Sequence, residues 1–211
     1  MILDLRPKTK RILERQMWYH ATTMVGYSNI IEQGVKFDVS WGSELDFGPG
    51  FYLAPDQKMA EDFILRQISF NRQNGLESIF PPEFFEAVVM EFEFHPFPYF
   101  ERGELKVLDL NNEEFATFIT DNRIRAKEGL IHDFPLIYGI MSDSNPAALV
   151  SMFRDGELDK HQVITGIMER TIGTRQLSIH VQELCDTLIL RKAYEVAGRK
   201  ELDINDYYNK R

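Results

Sequence analysis

"DFGPGFYLAPDQKMAEDF", residues 46–63, decides how the chain is read, because it packs a glycine turn, an aromatic strand and a helix start into one short span. Gly48-Pro49-Gly50 makes the turn, since glycine reaches backbone angles and close approaches that are closed to other residues. "GFYLA" at 50–54 then predicts a short strand carrying Phe51 and Tyr52. Pro55 suits the first position of a helix, Asp56 its positive end, and Met59, Ala60, Phe63 and Ile64 fall on one apolar stripe. Strand followed by helix is the expectation.

The same alternation extends in both directions. "MWYHATT" at 17–23 is aromatic and β-branched around His20, which predicts a strand, and "YSNIIEQGV" predicts a helix between a capping Ser28 and a terminating Gly34. In "AVVMEFEFH", Val88, Met90, Phe92 and Phe94 alternate with Val89, Glu91, Glu93 and His95, the period of a half-buried strand. "LKVLDL" is a further strand, Asn111 to Arg123 a helix, and "DFPLIYGIM" a buried strand. Asn145 caps a helix with Pro146 at its first position, Gly156 stops it, and another follows over 159–168. A last strand, "RQLSIHV", precedes a predicted helical run, "QELCDTLILRKAYEVAGRK". Without repeats or a long linker the chain is expected to be a single domain, residues 1–211. The irregular order of its elements argues for an α+β fold rather than a doubly wound sheet.

Composition narrows the function. With 44% hydrophobic and 27% charged residues in 211, the chain can bury a real core. A formal charge of −9 opposes a polyanionic partner, so nucleic acid is not expected to bind. The charged N-terminal stretch lacks the roughly 7–15-residue apolar core of a secretory signal, and no stretch reaches the roughly 18 apolar residues of a membrane span. A soluble protein is expected, cytoplasmic or exported without a classical signal peptide. The lone Cys185 excludes an internal disulfide and predicts a buried small residue on a helix. The five histidines are not spaced as a metal cluster, and the motifs for phosphate cradling, serine hydrolysis and zinc proteolysis are missing. Asp46-Phe47-Gly48 matches a protein-kinase tripeptide, but the partner kinase motifs are absent.

Three predicted strands each place one polar or aromatic group in an apolar setting: His20 in "YHATT", Tyr52 in "GFYLA" and Gln176 in "RQLSIH". Singly, each has a plain reading: a hydrogen-bonded core histidine, a core tyrosine with a satisfied hydroxyl, and a surface strand residue. In this order they resemble the ADP-ribosyltransferase superfamily, in the clade of diphtheria toxin and the poly(ADP-ribose) polymerases, which carries His, Tyr and a final Glu or variant on successive core strands. The resemblance is closer to small bacterial ADP-ribosyltransferase-like proteins with "YHGS/T", "DFGxGFYLT" and "QISFHT" motifs, which stand here as "YHAT", "DFGPGFYLAPD" and "QLSIHV". It spans about residues 17–190.

That resemblance implies a split β-sandwich of two small sheets around an NAD cleft, flanked by helices. It further implies transfer of ADP-ribose from NAD, the co-substrate, to a protein acceptor. His20 would bond the adenosine ribose, with Ala21 and Thr22 beside it; Tyr52 would stack on the nicotinamide; Gly48, Gly50 and Phe51 would line the ligand. Asp46 would touch the ligand or cap its own loop. Gln176 stands where many relatives have a catalytic Glu, and an amide bonds a hydroxyl without supplying a full negative charge. Two other readings stay open: a catalytically inactive NAD- or ADP-ribose-binding module, and an interaction protein presenting "FPPEFFEA" and "FHPFPYF". Glu91 and Glu93 superficially match the Glu-x-Glu pair of arginine-directed enzymes, but alternation puts both on one solvated strand face.

Overall fold

The computed structural model describes residues 5–37, 45–142, 145–170 and 173–209. Along the chain run α1 (Pro7–Leu13), β1 (Met17–Thr23), α2 (Met24–Gln33), β2 (Phe51–Leu53), α3 (Gln57–Gln73), β3 (Ala87–Glu93), α4 (Phe97–Glu101), β4 (Leu105–Leu108) and α5 (Glu113–Ile124). There follow β5 (Leu136–Ile140), α6 (Pro146–Arg154), α7 (Lys160–Arg170), β6 (Arg175–Ile179), α8 (Gln182–Cys185), β7 (Ile189–Glu195), β8 (Lys200–Glu201) and α9 (Asn205–Asn209). The strands make two four-stranded sheets, ordered β1-β3-β7-β8 and β2-β6-β5-β4, so the protein is α+β as expected. Two compact units divide the chain. The β1 unit holds Arg6–Lys36, Leu53–Pro96 and Gln182–Arg211; the β5 unit holds Met1–Leu5, Phe37–Tyr52 and Phe97–Val181.

In the β1 unit, β3 pairs antiparallel with β1 on one side and β7 on the other. Helix α3 lays Ala60, Ile64 and Ile68 on the sheet face that carries Ala87, Val89 and Tyr194. The larger aliphatic side chains among these, Ile64, Ile68 and Val89, each contribute about 1.5–3 kcal/mol by burial. Two predicted boundaries move because a side-chain oxygen takes an orphan N–H earlier or later than expected. Thr23, still extended, accepts from the Gly26 N–H, so α2 begins at Met24, and Ser28 lies inside it with its hydroxyl donating to the Met24 carbonyl. Asp56 caps α3 by accepting from the Met59 N–H, which leaves Pro55 outside the helix. Phe63, expected on the apolar stripe, is 39% exposed.

The predicted C-terminal helix is corrected more deeply. Within that run only Gln182–Cys185 is α-helical, with Cys185 buried as expected; Ile189–Glu195 is strand β7, and Ala197–Arg199 is a single 3-10 turn. Its buried residues Leu190, Ala193 and Tyr194 have helical spacing because a β-bulge interrupts the pairing: Phe92 faces Leu190, Glu91 faces Lys192, and Arg191 is the extra residue. A bulge adds one residue and turns a period of two into an apparent three.

In the β5 unit, β5 is buried at all positions, with β4 parallel on one side and β6 antiparallel on the other. Such a strand is apolar throughout because both faces are covered. Helices α5, α6 and α7 pack Phe115, Ile119, Val150, Val163 and Ile167 against Leu108, Ile137, Ile140 and Phe47. Asn112 and Asn145 cap α5 and α6 through their side-chain oxygens, and Pro146 opens α6 as its sequence predicted. Among the described residues no helix is long and apolar enough to cross a membrane.

Candidate functional site

The turn before β2 is where the β5 unit concentrates its polar groups. Asp46 is only 4% exposed, and its two oxygens are fully engaged. Oδ1 accepts from Arg123 Nε at 3.1 Å and Nη2 at 2.7 Å. Oδ2 accepts from the Ser142 N–H at 2.8 Å and from Gln176 Nε2 at 3.3 Å. One carboxylate thereby ties the turn to α5, to the end of β5 and to β6. Its buried charge is offset by Arg123, whose side chain is 12% exposed.

Three successive carbonyls of the turn are each held by a different side chain. His132 Nε2 donates to the Phe47 carbonyl at 2.9 Å, Tyr52 Oη donates to the Gly48 carbonyl at 2.7 Å, and His180 Nδ1 donates to the Pro49 carbonyl at 2.6 Å. These bonds set the tautomers. His132 Nδ1 accepts from the Phe134 N–H, and His180 Nε2 accepts from the Ser178 hydroxyl at 2.7 Å. Both imidazoles are neutral. Burial, partly opposed by the bond to Pro49 and reinforced by nearby His132, pushes His180 down to about 3, and burial lowers His132 too. Their rings meet edge to face with centroids 4.7 Å apart.

The two glycines have distinct causes. Gly48 sits at φ +80°, the left-handed region that favours glycine. At Gly50 a Cβ would lie 2.8 Å from the His180 ring and 3.0 Å from the Ile179 carbonyl, so the imidazole occupies the space a side chain needs.

Tyr52 is half-buried. Its ring stacks on Phe47 at 6.4 Å and 14°, and its hydroxyl also accepts from the Phe47 N–H at 3.2 Å. Burial first, then the charge of Asp46, pushes that hydroxyl's pKa well up, so it is a neutral donor. Phe51 is buried beside it. Gln176, read singly as a surface residue, is instead 7% exposed on β6, the strand next to β2, because its amide reaches Asp46. The β5 unit thus brings together Asp46, Gly48, Gly50, Phe51, Tyr52 and Gln176.

His20, Ala21 and Thr22 belong to the β1 unit, on edge strand β1. With Thr23 they line a pocket of about 400 Å³ whose other walls are α3, through Gln67 and Asn71, and the aromatic segment Phe80 to Phe85. Glu93 lies on the solvated strand face expected of it, paired with Arg191 across the sheet and with His95.

Sequence reasoning missed Arg123, His132 and His180. The cation that answers Asp46 lies 77 residues away, with no local signal. His180 was visible in "QLSIHV", where Ser178 precedes it by one strand period, the spacing that lets the hydroxyl reach the ring. Among the described residues no group of three or more His, Cys, Asp or Glu is placed to hold a metal ion.

These features define an α+β protein whose glycine turn is fastened by buried polar side chains. The chain belongs to the family described as proteins of unknown function, DUF3990, which it matches over residues 24–190. That span contains Asp46, Tyr52 and Gln176 and begins just after the strand carrying His20. No curated protein and no solved structure matches the chain.

Proposed function

We propose that this protein is an NAD-dependent mono-ADP-ribosyltransferase, releasing nicotinamide and passing ADP-ribose to a protein side chain. The observation that carries this reading is the order of His20, Tyr52 and Gln176 on β1, β2 and β6, with the last two strands hydrogen-bonded neighbours. In this reaction the nicotinamide–ribose bond breaks, its electron pair leaves with the nicotinamide nitrogen, and an acceptor nucleophile closes on the ribose carbon while losing a proton. Positive charge develops on the ribose, so acceptor dipoles aimed at the sugar are what the site must supply. Gln176 offers such a dipole through Oε1. Tyr52 offers a half-buried aromatic face, held in place by its hydroxyl, and ring contact orients a planar leaving group at low entropic cost. His20 contributes a ring nitrogen for a ribose hydroxyl.

The test is nicotinamide release from NAD by the purified protein, with and without cell lysate as a source of acceptors. Comparison with His20→Ala, Tyr52→Ala and Gln176→Ala attributes any turnover to these groups. Release that depends on lysate and falls about 100-fold or more in each variant is the expected result. The amide at position 176, in place of a carboxylate, favours a second reading, a binding module of the same fold. NAD binding without release, abolished by His20→Ala, would decide for that module.

A further inference from the structure

Gln176 holds its amide in a defined sense. Nε2 donates to Asp46 Oδ2, so Oε1 is turned to the opposite side; a flipped amide would set Oε1 against a carboxylate oxygen at 3.3 Å. The carboxylate that enforces this is itself fixed by three hydrogen bonds, two from the Arg123 fork and one from the Ser142 N–H, and is buried with its partner Gln176. We infer that Asp46 is a positioning residue that aims the Gln176 carbonyl, and that this pairing selects Gln over Glu at position 176. The inference rests on the proposed reaction for its consequence in turnover, but the pairing itself can be read without any substrate.

The selection follows from charge. The trio Asp46, Arg123 and Gln176 carries one negative and one positive charge in a buried place. A Glu at 176 would add a second carboxylate beside the first, with one guanidinium to serve both. Two carboxylates at that distance cannot both ionise, and one is driven to keep its proton into the neutral range. Exchanging the two roles, with Asn at 46 and Glu at 176, restores one carboxylate and one amide to the cluster and removes the carboxylate–carboxylate clash, although the single Asn oxygen leaves either the Arg123 fork or the Ser142 N–H without its acceptor. Asp46 also lends its charge to the amide: a hydrogen bond from Nε2 to a carboxylate polarises the group and makes Oε1 a stronger acceptor.

The experiment is a four-protein cycle: wild type, Asp46→Asn, Gln176→Glu, and both together. Melting temperature is followed from about pH 5 to pH 8, and nicotinamide release is assayed in parallel. Gln176→Glu is expected to lose melting temperature as pH rises, because its extra carboxyl must give up a proton it holds in the folded state. The double variant is expected to lose the pH slope and to melt above the sum of the two single shifts, recovering part of the loss because one donor to position 46 stays unmet. In turnover, Gln176→Glu falls about tenfold or more at neutral pH, with a new acidic limb in its pH profile, and the double variant regains activity. Additive melting shifts, with no recovery in the double variant, would overturn the inference even if the wild type turns over NAD. Recovery in melting temperature with no release by any of the four proteins would sink the reaction and leave the Asp46–Gln176 pairing standing. Should Gln176→Glu fail to fold while the double variant folds, the pairing is supported directly. Should both fail, the cycle is run with Gln176→Met and Asp46→Asn, where additivity again refutes it.

Discussion

At the scale of single residues, the side chains that matter most here are those whose partners are fixed and few. Arg123 answers the buried Asp46, and removing one member of such a pair leaves an unpaired buried charge. Arg123→Met is therefore expected to cost about 3–5 kcal/mol in urea unfolding, and a loss under about 1 kcal/mol would show that water reaches Asp46. Gly50→Ala is a sharper probe of shape. Its new methyl meets the His180 ring and the Ile179 carbonyl, the second of which cannot swing aside, so a destabilisation of about 1–3 kcal/mol is expected. Tyr52→Phe removes a hydroxyl bonded to the Gly48 carbonyl and the Phe47 N–H while keeping the ring. It should cost about 1 kcal/mol of stability and keep the ring, which separates fastening from the proposed stacking in a binding assay with NAD.

At the scale of elements, local chemistry was legible wherever one residue type answers one backbone need. Asn145 announces α6, and the all-apolar "LIYGI" announces a strand covered on both faces. Legibility failed where a distant partner sets the local rule. Strand β7 imitates a helix because the bulge opposite Glu91 and Phe92 belongs to the pairing with β3, about a hundred residues earlier in the chain. The candidate site divides the same way. Tyr52 and Gln176 could be picked out as polar groups in apolar strands, whereas Arg123 and His132 are ordinary residues until folding brings them to the turn. At α3, Asp56 is the cap and Pro55 is not, so Asp56→Ala should lower stability by about 1 kcal/mol and Pro55→Ala by clearly less, as thermal melts of the two variants would show.

At the scale of the whole molecule, each unit is assembled from separated stretches of chain. Deleting residues 182–211 takes β7 and β8 from the sheet of the β1 unit, exposing one edge of β3, and should abolish cooperative unfolding of that unit. Stability should also depend on acid. His180 titrates near pH 3 when folded against 6.5 ordinarily, so between those values the unfolded chain binds a proton that the folded chain refuses. Stability is then complete above pH 6.5 and declines as pH falls toward 3, with a slope approaching about 1.4 kcal/mol per pH unit, to which His132 adds in the same direction. His180→Asn should flatten that slope in urea titrations; an unchanged slope would assign it to other groups. The three pinned carbonyls of the turn carry one more implication. A surface that must be moulded around its ligand spends affinity on ordering, but the stretch from Phe47 to Tyr52 is already set in one shape by His132, Tyr52 and His180. For the proposed reaction this makes recognition at the turn closer to a rigid template than to a closing hand: NAD would be selected by shape on arrival, against a backbone already fastened at three carbonyls.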